Sequence, residues 1–161
     1  MLGPVWAGLA VVILVSGLRA GRSPRALRTG CLAVSALWLL AGAGVNAGML
    51  VAGRSYSGFA DGAALAFVHE TWESLVVAHQ AVFIGLLIAF EAVAGVLVLF
   101  PGRPRQAALL AVIAFTVALV SFGWGFLLWS VPVTAALVLL LRAERRRAAA
   151  SAGTREMVTT S

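Results

Sequence analysis

Lysine is missing altogether from these 161 residues, and charged side chains of every kind make up only 11% of them. Ordinary globular domains carry roughly a quarter. A soluble particle of this size needs polar groups over most of its exposed area, and this chain has them only in short stretches. Cysteine is nearly absent as well. Cys31 stands alone, which excludes an internal disulfide or a CxxC redox pair and leaves any thiol chemistry dependent on a partner. The phosphate-cradling P-loop, the dinucleotide glycine fingerprint, the GxSxG elbow and the CxxCH haem attachment are all missing. His69 and His79 are the only imidazoles, too few for paired axial ligation of several haems.

What the chain does have is apolar surface: 61% hydrophobic residues and a mean hydropathy of +1.01. Long apolar runs separated by arginines predict an all-α, polytopic transmembrane bundle with lipid as its main partner. The formal charge of +6 would suggest nucleic acid in a soluble domain. Here the arginines lie between apolar runs, where they act as topology determinants, so no nucleic-acid partner is expected.

Five crossings are expected, at about 2–18, 30–51, 76–100, 106–121 and 125–141, with four as the alternative and 148–161 as a disordered tail. The first run is short but can cross a thinned bilayer. No positive residue precedes it and Arg19, Arg22, Arg25 and Arg28 follow it, which favours a retained helix over a cleaved signal. Gly42, Gly44 and Gly48 in the second run let a neighbouring helix approach closely. Pro101-Gly102 ends the third.

The apolar stretch from Gln106 to Leu141 decides the count, since as one helix it would reach about 54 Å against a hydrocarbon core of roughly 30 Å. Ser121-Phe122-Gly123-Trp124-Gly125 near its middle offers a tight reversal. Pro132 is expected to kink the final helix. Splitting at Gly123 puts eleven of the twelve arginines on one side, with Arg54, Asp61, Glu70 and Glu73 opposite. By the positive-inside rule the N-terminus is then outside and the C-terminus cytoplasmic, in a plasma membrane.

The long outer connection, 52–75, is itself patterned. Phe59, Ala63, Ala64, Phe67, Val68 and Trp72 form an apolar face, which predicts an interfacial helix capping the bundle. On its other side are His69, Glu70 and Glu73. They read either as a solvated face or as an outward site for a metal, a cation or a polar headgroup. His69 and Glu73 are one helical turn apart, and His79 can join them if the chain bends at the membrane surface. The HExxH pattern is not met, because Glu73 stands where the second His belongs. Imidazole with carboxylates suits a divalent metal, and the candidate set is His69, Glu70, Glu73 and His79.

Glu91 is the sharper feature. It lies about 13 Å from the end of its helix, a depth at which an unpaired carboxylate is costly and ionisable groups line cavities or pathways. No basic side chain matches that depth, so a hydrogen bond to a helix carbonyl, Ser or Thr is expected. Glu91 then serves as structural glue, a proton relay or a seat for a quinone-like or cationic ligand. Asn46, near the outer end of the second run, is expected to hydrogen-bond between helices.

The stretch FADGAALAFVHETWESLVVAHQAVFIGLLIAFEAVAGVLVLF from Phe59 to Phe100, followed by Gly102-Arg103 and SFGWGFLLW, resembles the DoxX-like membrane proteins over about residues 54–141. The resemblance rests on the outer amphipathic segment, the helix with Glu91 and Gly95, and two closing helices. It implies a four-helix core with one added element, association with redox assemblies, and an acidic position at Glu91. It transfers no catalytic motif. The function expected on this footing is an accessory subunit of a membrane assembly, redox- or quinone-linked, with membrane-protein partners or further copies of itself. A proton-coupled or small-solute translocator using Glu91 and a metal- or quinone-binding oxidoreductase are the alternatives.

Overall fold

The computed structural model describes residues 3–159, with side chains placed for 5–151. Its elements are α1 (Gly3–Ala20), α2 (Pro24–Val51), α3 (Ala66–Thr71), α4 (Gln80–Leu97), α5 (Arg103–Phe122) and α6 (Trp124–Thr159). The result is an all-α bundle. Four helices, α2, α4, α5 and α6, are long and apolar enough to cross a membrane, and α1 is a shorter apolar helix.

The outward faces are as apolar as the interior. Leu40, Leu86 and Leu128 are 71, 63 and 75% exposed, which in water would be an extensive unburied patch and in hydrocarbon is the normal lipid-facing surface. The interior holds Ile13, Val34, Leu109, Val112, Leu137 and Leu140, all essentially inaccessible. At its centre Trp38 meets Phe115 and Phe90 edge-on, with centroids 5.2 and 5.9 Å away. Small residues set the helix spacing. A Cβ on Gly17 would lie 2.9 Å from the Ala136 carbonyl oxygen, and one on Gly95 would lie 2.8 Å from Leu39 Cγ, so α1–α6 and α2–α4 pack with backbones nearly touching.

Several boundaries differ from those read in the sequence. α2 begins at Pro24 rather than 30, because Ser23 accepts a hydrogen bond from the Ala26 N–H at 3.2 Å and proline fits the first helical turn. Its middle, Leu37–Gly44, widens into a π-helix. The capping helix is shorter than the apolar pattern implied. Residues 52–65 form turns, and Ala66–Thr71 continues as a π-helical turn through Val77.

The break before α6 falls where expected. Gly123 has φ of +113°, and any Cβ there would collide with the Gly62 carbonyl oxygen, so the reversal is also where the outer loop seats. α6 keeps Pro132 within it and does not stop at 141. The expected disordered tail, 148–161, is helical as far as Thr159, and residues 160 and 161 lie outside the described residues. Ala, Arg and Glu are strong helix formers with no glycine or proline among 142–152 to break the run.

Three arginine-bearing stretches converge at one end of the bundle. Arg147 donates to the Ala20 carbonyl at 3.1 Å, and Arg105 pairs with Glu144 at 3.0 Å. Residues 52–79 and Gly123 occupy the opposite end.

Candidate functional site

Glu91 sits on the inward face of α4 and is 5% exposed. Its Oε2 accepts a hydrogen bond from Asn46 Nδ2 of α2 at 2.9 Å. The expected partner was a carbonyl, Ser or Thr; the side-chain amide takes that place because Asn46 lies at matching depth on the facing helix. The two intramembrane polar residues are therefore one unit. Gly42, in the π-helical stretch, makes room for it, since a Cβ there would come 2.7 Å from Glu91 Oε1. π-turns often mark functional positions, and this one opens a slot for a carboxyl group.

The unit extends toward the 52–79 connection through Tyr56, Trp72 and Gln80. The Tyr56 hydroxyl lies 3.1 Å from Asn46 Oδ1 and 3.2 Å from the Asn46 carbonyl oxygen, donating its proton to that pair. With Oδ1 occupied as an acceptor, the amide presents its N–H to Glu91. Burial, and secondarily the Glu91 carboxyl, push the Tyr56 phenol above its usual range, which keeps it protonated and donating. Tyr56 is held in turn by its backbone: its N–H donates to Gln80 Oε1 at 3.1 Å, and its carbonyl accepts from Trp72 Nε1 at 2.9 Å. Gln80 Nε2 donates to the Arg54 carbonyl at 2.9 Å. These bonds fasten the outer loop across the start of α4.

Between that loop and the bundle is a cavity of about 300 Å³. Glu91, Asn46 and Tyr56 give it a polar wall, while Phe59, Trp72, Phe122 and Phe126 are among its aromatic walls. Phe59 stacks on Trp72 at 4.9 Å and meets Phe126 at 5.2 Å and Phe122 at 5.3 Å. A smaller space of about 80 Å³ also reaches Glu91 and is lined by Trp38, whose buried indole N–H has no partner among the described residues. The site thus combines rigid π-surfaces with an acid, an amide, a phenol and a spare donor.

A second cluster lies on the outer surface. Asp61, His69 and Glu73 each offer a ligand atom within 4.8 Å of the others, and His69 Nε2 is 3.3 Å from Asp61 Oδ1. The cluster faces solvent, with the His69 and Asp61 side chains 46 and 70% exposed. Glu73 Oε1 also accepts from the Gly58 N–H at 3.0 Å, and Gly58 takes a positive φ of 77° to turn the chain beneath it. His69 and Glu73 come together as their one-turn spacing predicts. Glu70 and His79 stand outside the group. Glu70 is one residue farther around the helix and exposed; His79 is beyond the π-turn, with Nδ1 3.2 Å from the Leu75 carbonyl. Asp61, which replaces them, comes from a turn eight residues before His69, where no helical periodicity connects the two.

No protein-family model, curated protein or solved structure matches this chain, so what the two sites do is read from their own geometry.

Proposed function

We propose that this membrane-embedded helical protein binds a lipophilic molecule with a flat, hydrogen-bonding ring, of the quinone class, in the cavity beneath its outer loop. The observation that carries this reading is the Glu91–Asn46 pair, 2.9 Å across and opening onto an aromatic-walled space of about 300 Å³. That volume is at the lower end of the roughly 300–1,000 Å³ of ligand pockets, whose pattern is many apolar walls and a few convergent polar groups. A ring of this class is flat, so aromatic stacking rewards it. Its oxygens accept hydrogen bonds from donors such as the Asn46 amide of the cavity wall, and its hydroxyl form donates to a carboxyl oxygen. In this reading α1 also crosses the bilayer, giving five crossings with the arginine-rich end cytoplasmic and the cavity on the outer side.

Binding of a short-chain quinone to protein in detergent, followed by quenching of tryptophan fluorescence, tests the reading. Asn46→Leu removes one hydrogen bond at the polar wall and should weaken binding about tenfold. Trp72→Ala should weaken it further by removing a wall of the cavity. Unchanged affinity in both variants would refute the site.

The outer cluster supports a second, compatible reading: Asp61, His69 and Glu73 hold a divalent transition metal. One imidazole and two carboxylates suit zinc, iron or manganese. The 3.3 Å between His69 Nε2 and Asp61 Oδ1 is close to the ~3.4 Å edge of a tetrahedron with ligands about 2.1 Å from the ion. A metal there would tie the 56–62 turn to α3 and to the segment carrying Trp72, bracing the cap of the cavity. Zinc at 100 times its dissociation constant should then stabilise the protein by about 2.7 kcal/mol. A thermal shift of equal size in Asp61→Asn would show that the ion binds elsewhere.

A further inference from the structure

At the arginine-rich end, the α1–α2 turn, the α4–α5 turn and α6 surround a groove of about 450 Å³. Arg28, Arg105, Arg147 and Glu144 are its charged lining residues, with Leu27 and Pro101 supplying apolar surface. The buried pair in its floor is already bonded to protein groups. Arg105 donates to Glu144 Oε2 at 3.0 Å, to the Val98 carbonyl at 2.8 Å and to the Leu99 carbonyl at 3.0 Å. Glu144 Oε1 accepts from the Gly102 N–H at 2.6 Å. The one carboxylate is therefore neutralised from below, and Arg28 and Arg147 set the charge of the groove.

These two arginines are placed differently. Arg147 is steered over the groove by its bond to the Ala20 carbonyl, 3.1 Å long, which uses one of its five N–H donors. Arg28 is exposed on the first turns of α2. The Pro24 end of the same helix lines the groove and adds the positive end of a 28-residue helix to the two guanidinium charges. Leu27 and Pro101 put the groove at the level where the apolar spans begin, which is the depth of lipid headgroups.

We propose that this groove binds a phosphate group, and that the group is supplied by an anionic phospholipid of the surrounding leaflet. Two guanidiniums that no carboxylate among the described residues neutralises match the charge and fork geometry of a phosphate, and basic pockets between membrane helices commonly hold anionic headgroups. The bound lipid would bridge α2, the α4–α5 turn and α6, whose residues line the groove. The site is independent of the outer cavity.

Full-length protein in a non-ionic detergent can be incubated with phosphatidylglycerol, phosphatidylcholine or inorganic phosphate, with bound species counted by native mass spectrometry and unfolding followed in parallel. Phosphatidylglycerol should be retained over phosphatidylcholine and should raise the unfolding temperature. Arg28→Gln, which removes no hydrogen bond or ion pair among the described residues, should lower its affinity about fivefold, and Arg28→Gln with Arg147→Gln about 30-fold. The paired lysine substitutions should retain most of the binding, and Arg54→Gln at the opposite end should retain all of it. An equal effect of inorganic phosphate, lost in the same variants, keeps the phosphate site and makes its source soluble. Equal retention of the two lipids, or undiminished phosphatidylglycerol binding in Arg28→Gln, overturns the proposal.

Discussion

Two carboxylates in this bundle are equally hidden, Glu91 toward the end that carries the 52–79 connection and Glu144 toward the arginine-rich end, each 5% exposed. Their surroundings differ. Glu144 meets a guanidinium and a backbone N–H, and Arg105 spends two further donors on helix-end carbonyls. Among the described residues Glu91 has no cation beside it, one side-chain donor and open space in front of it. A buried charge compensated on every side fixes structure, whereas a buried acid left half-engaged beside a cavity is placed to meet something else. The contrast separates a lock from a site more clearly than burial does.

The same substitution at both positions should give unlike results. Glu144→Gln leaves the Arg105 charge buried without its counter-ion and should cost about 3–5 kcal/mol in reversible unfolding in detergent. Comparable stability of that variant would mean that Arg105 finds another partner. A smaller loss, about 1–3 kcal/mol, is expected for Gly123→Ala, which places a Cβ against Gly62 at a φ of +113°. Because Gly123 seats the outer loop, the same variant should weaken ligand binding in the cavity, and unaltered binding would separate the loop from the site. Glu91→Gln should change stability by no more than about 1 kcal/mol, since its amide oxygen still accepts from Asn46. A loss as large as that of Glu144→Gln would erase the distinction between the two acids.

The smallest effect is the dependence on alkaline pH. Tyr56 is the chain's only tyrosine, and its phenol titrates above the ordinary 10.0 because of burial and then the nearby Glu91 carboxyl. Above pH 10 the unfolded chain gives up a proton that the folded chain keeps. Stability should therefore fall as pH rises toward the folded value, while the contribution is fully present below 10. Tyr56→Phe should flatten that slope in unfolding temperatures measured across the alkaline range, and an unchanged slope would assign it to another group.

Much of the outer site could be anticipated residue by residue but not as an arrangement. Glu91 and Asn46 stand out because polar groups in apolar runs are rare, yet their pairing depends on how α2 and α4 are rotated about their axes. The π-helical widening at 37–44 alters that rotation, and hydropathy does not encode it. His69 and Glu73 were legible from one-turn spacing. Asp61 was not, because a turn held open by Gly58 brings it in. Glu144, within AERRR, is not singled out by its sequence context, and only the proximity of α5 joins it to Arg105.

Hydropathy and charge add up along the chain without knowledge of its neighbours, so the sequence alone determined that this is a membrane-embedded helical protein, where its long apolar stretches lie, and that its arginines gather toward one end. Pairings do not add up in that way. Glycine contacts, helix rotation and loop seating over Gly123 set them, so tertiary structure alone decided which acid is locked, which faces a cavity, and which three ligating side chains meet at the surface.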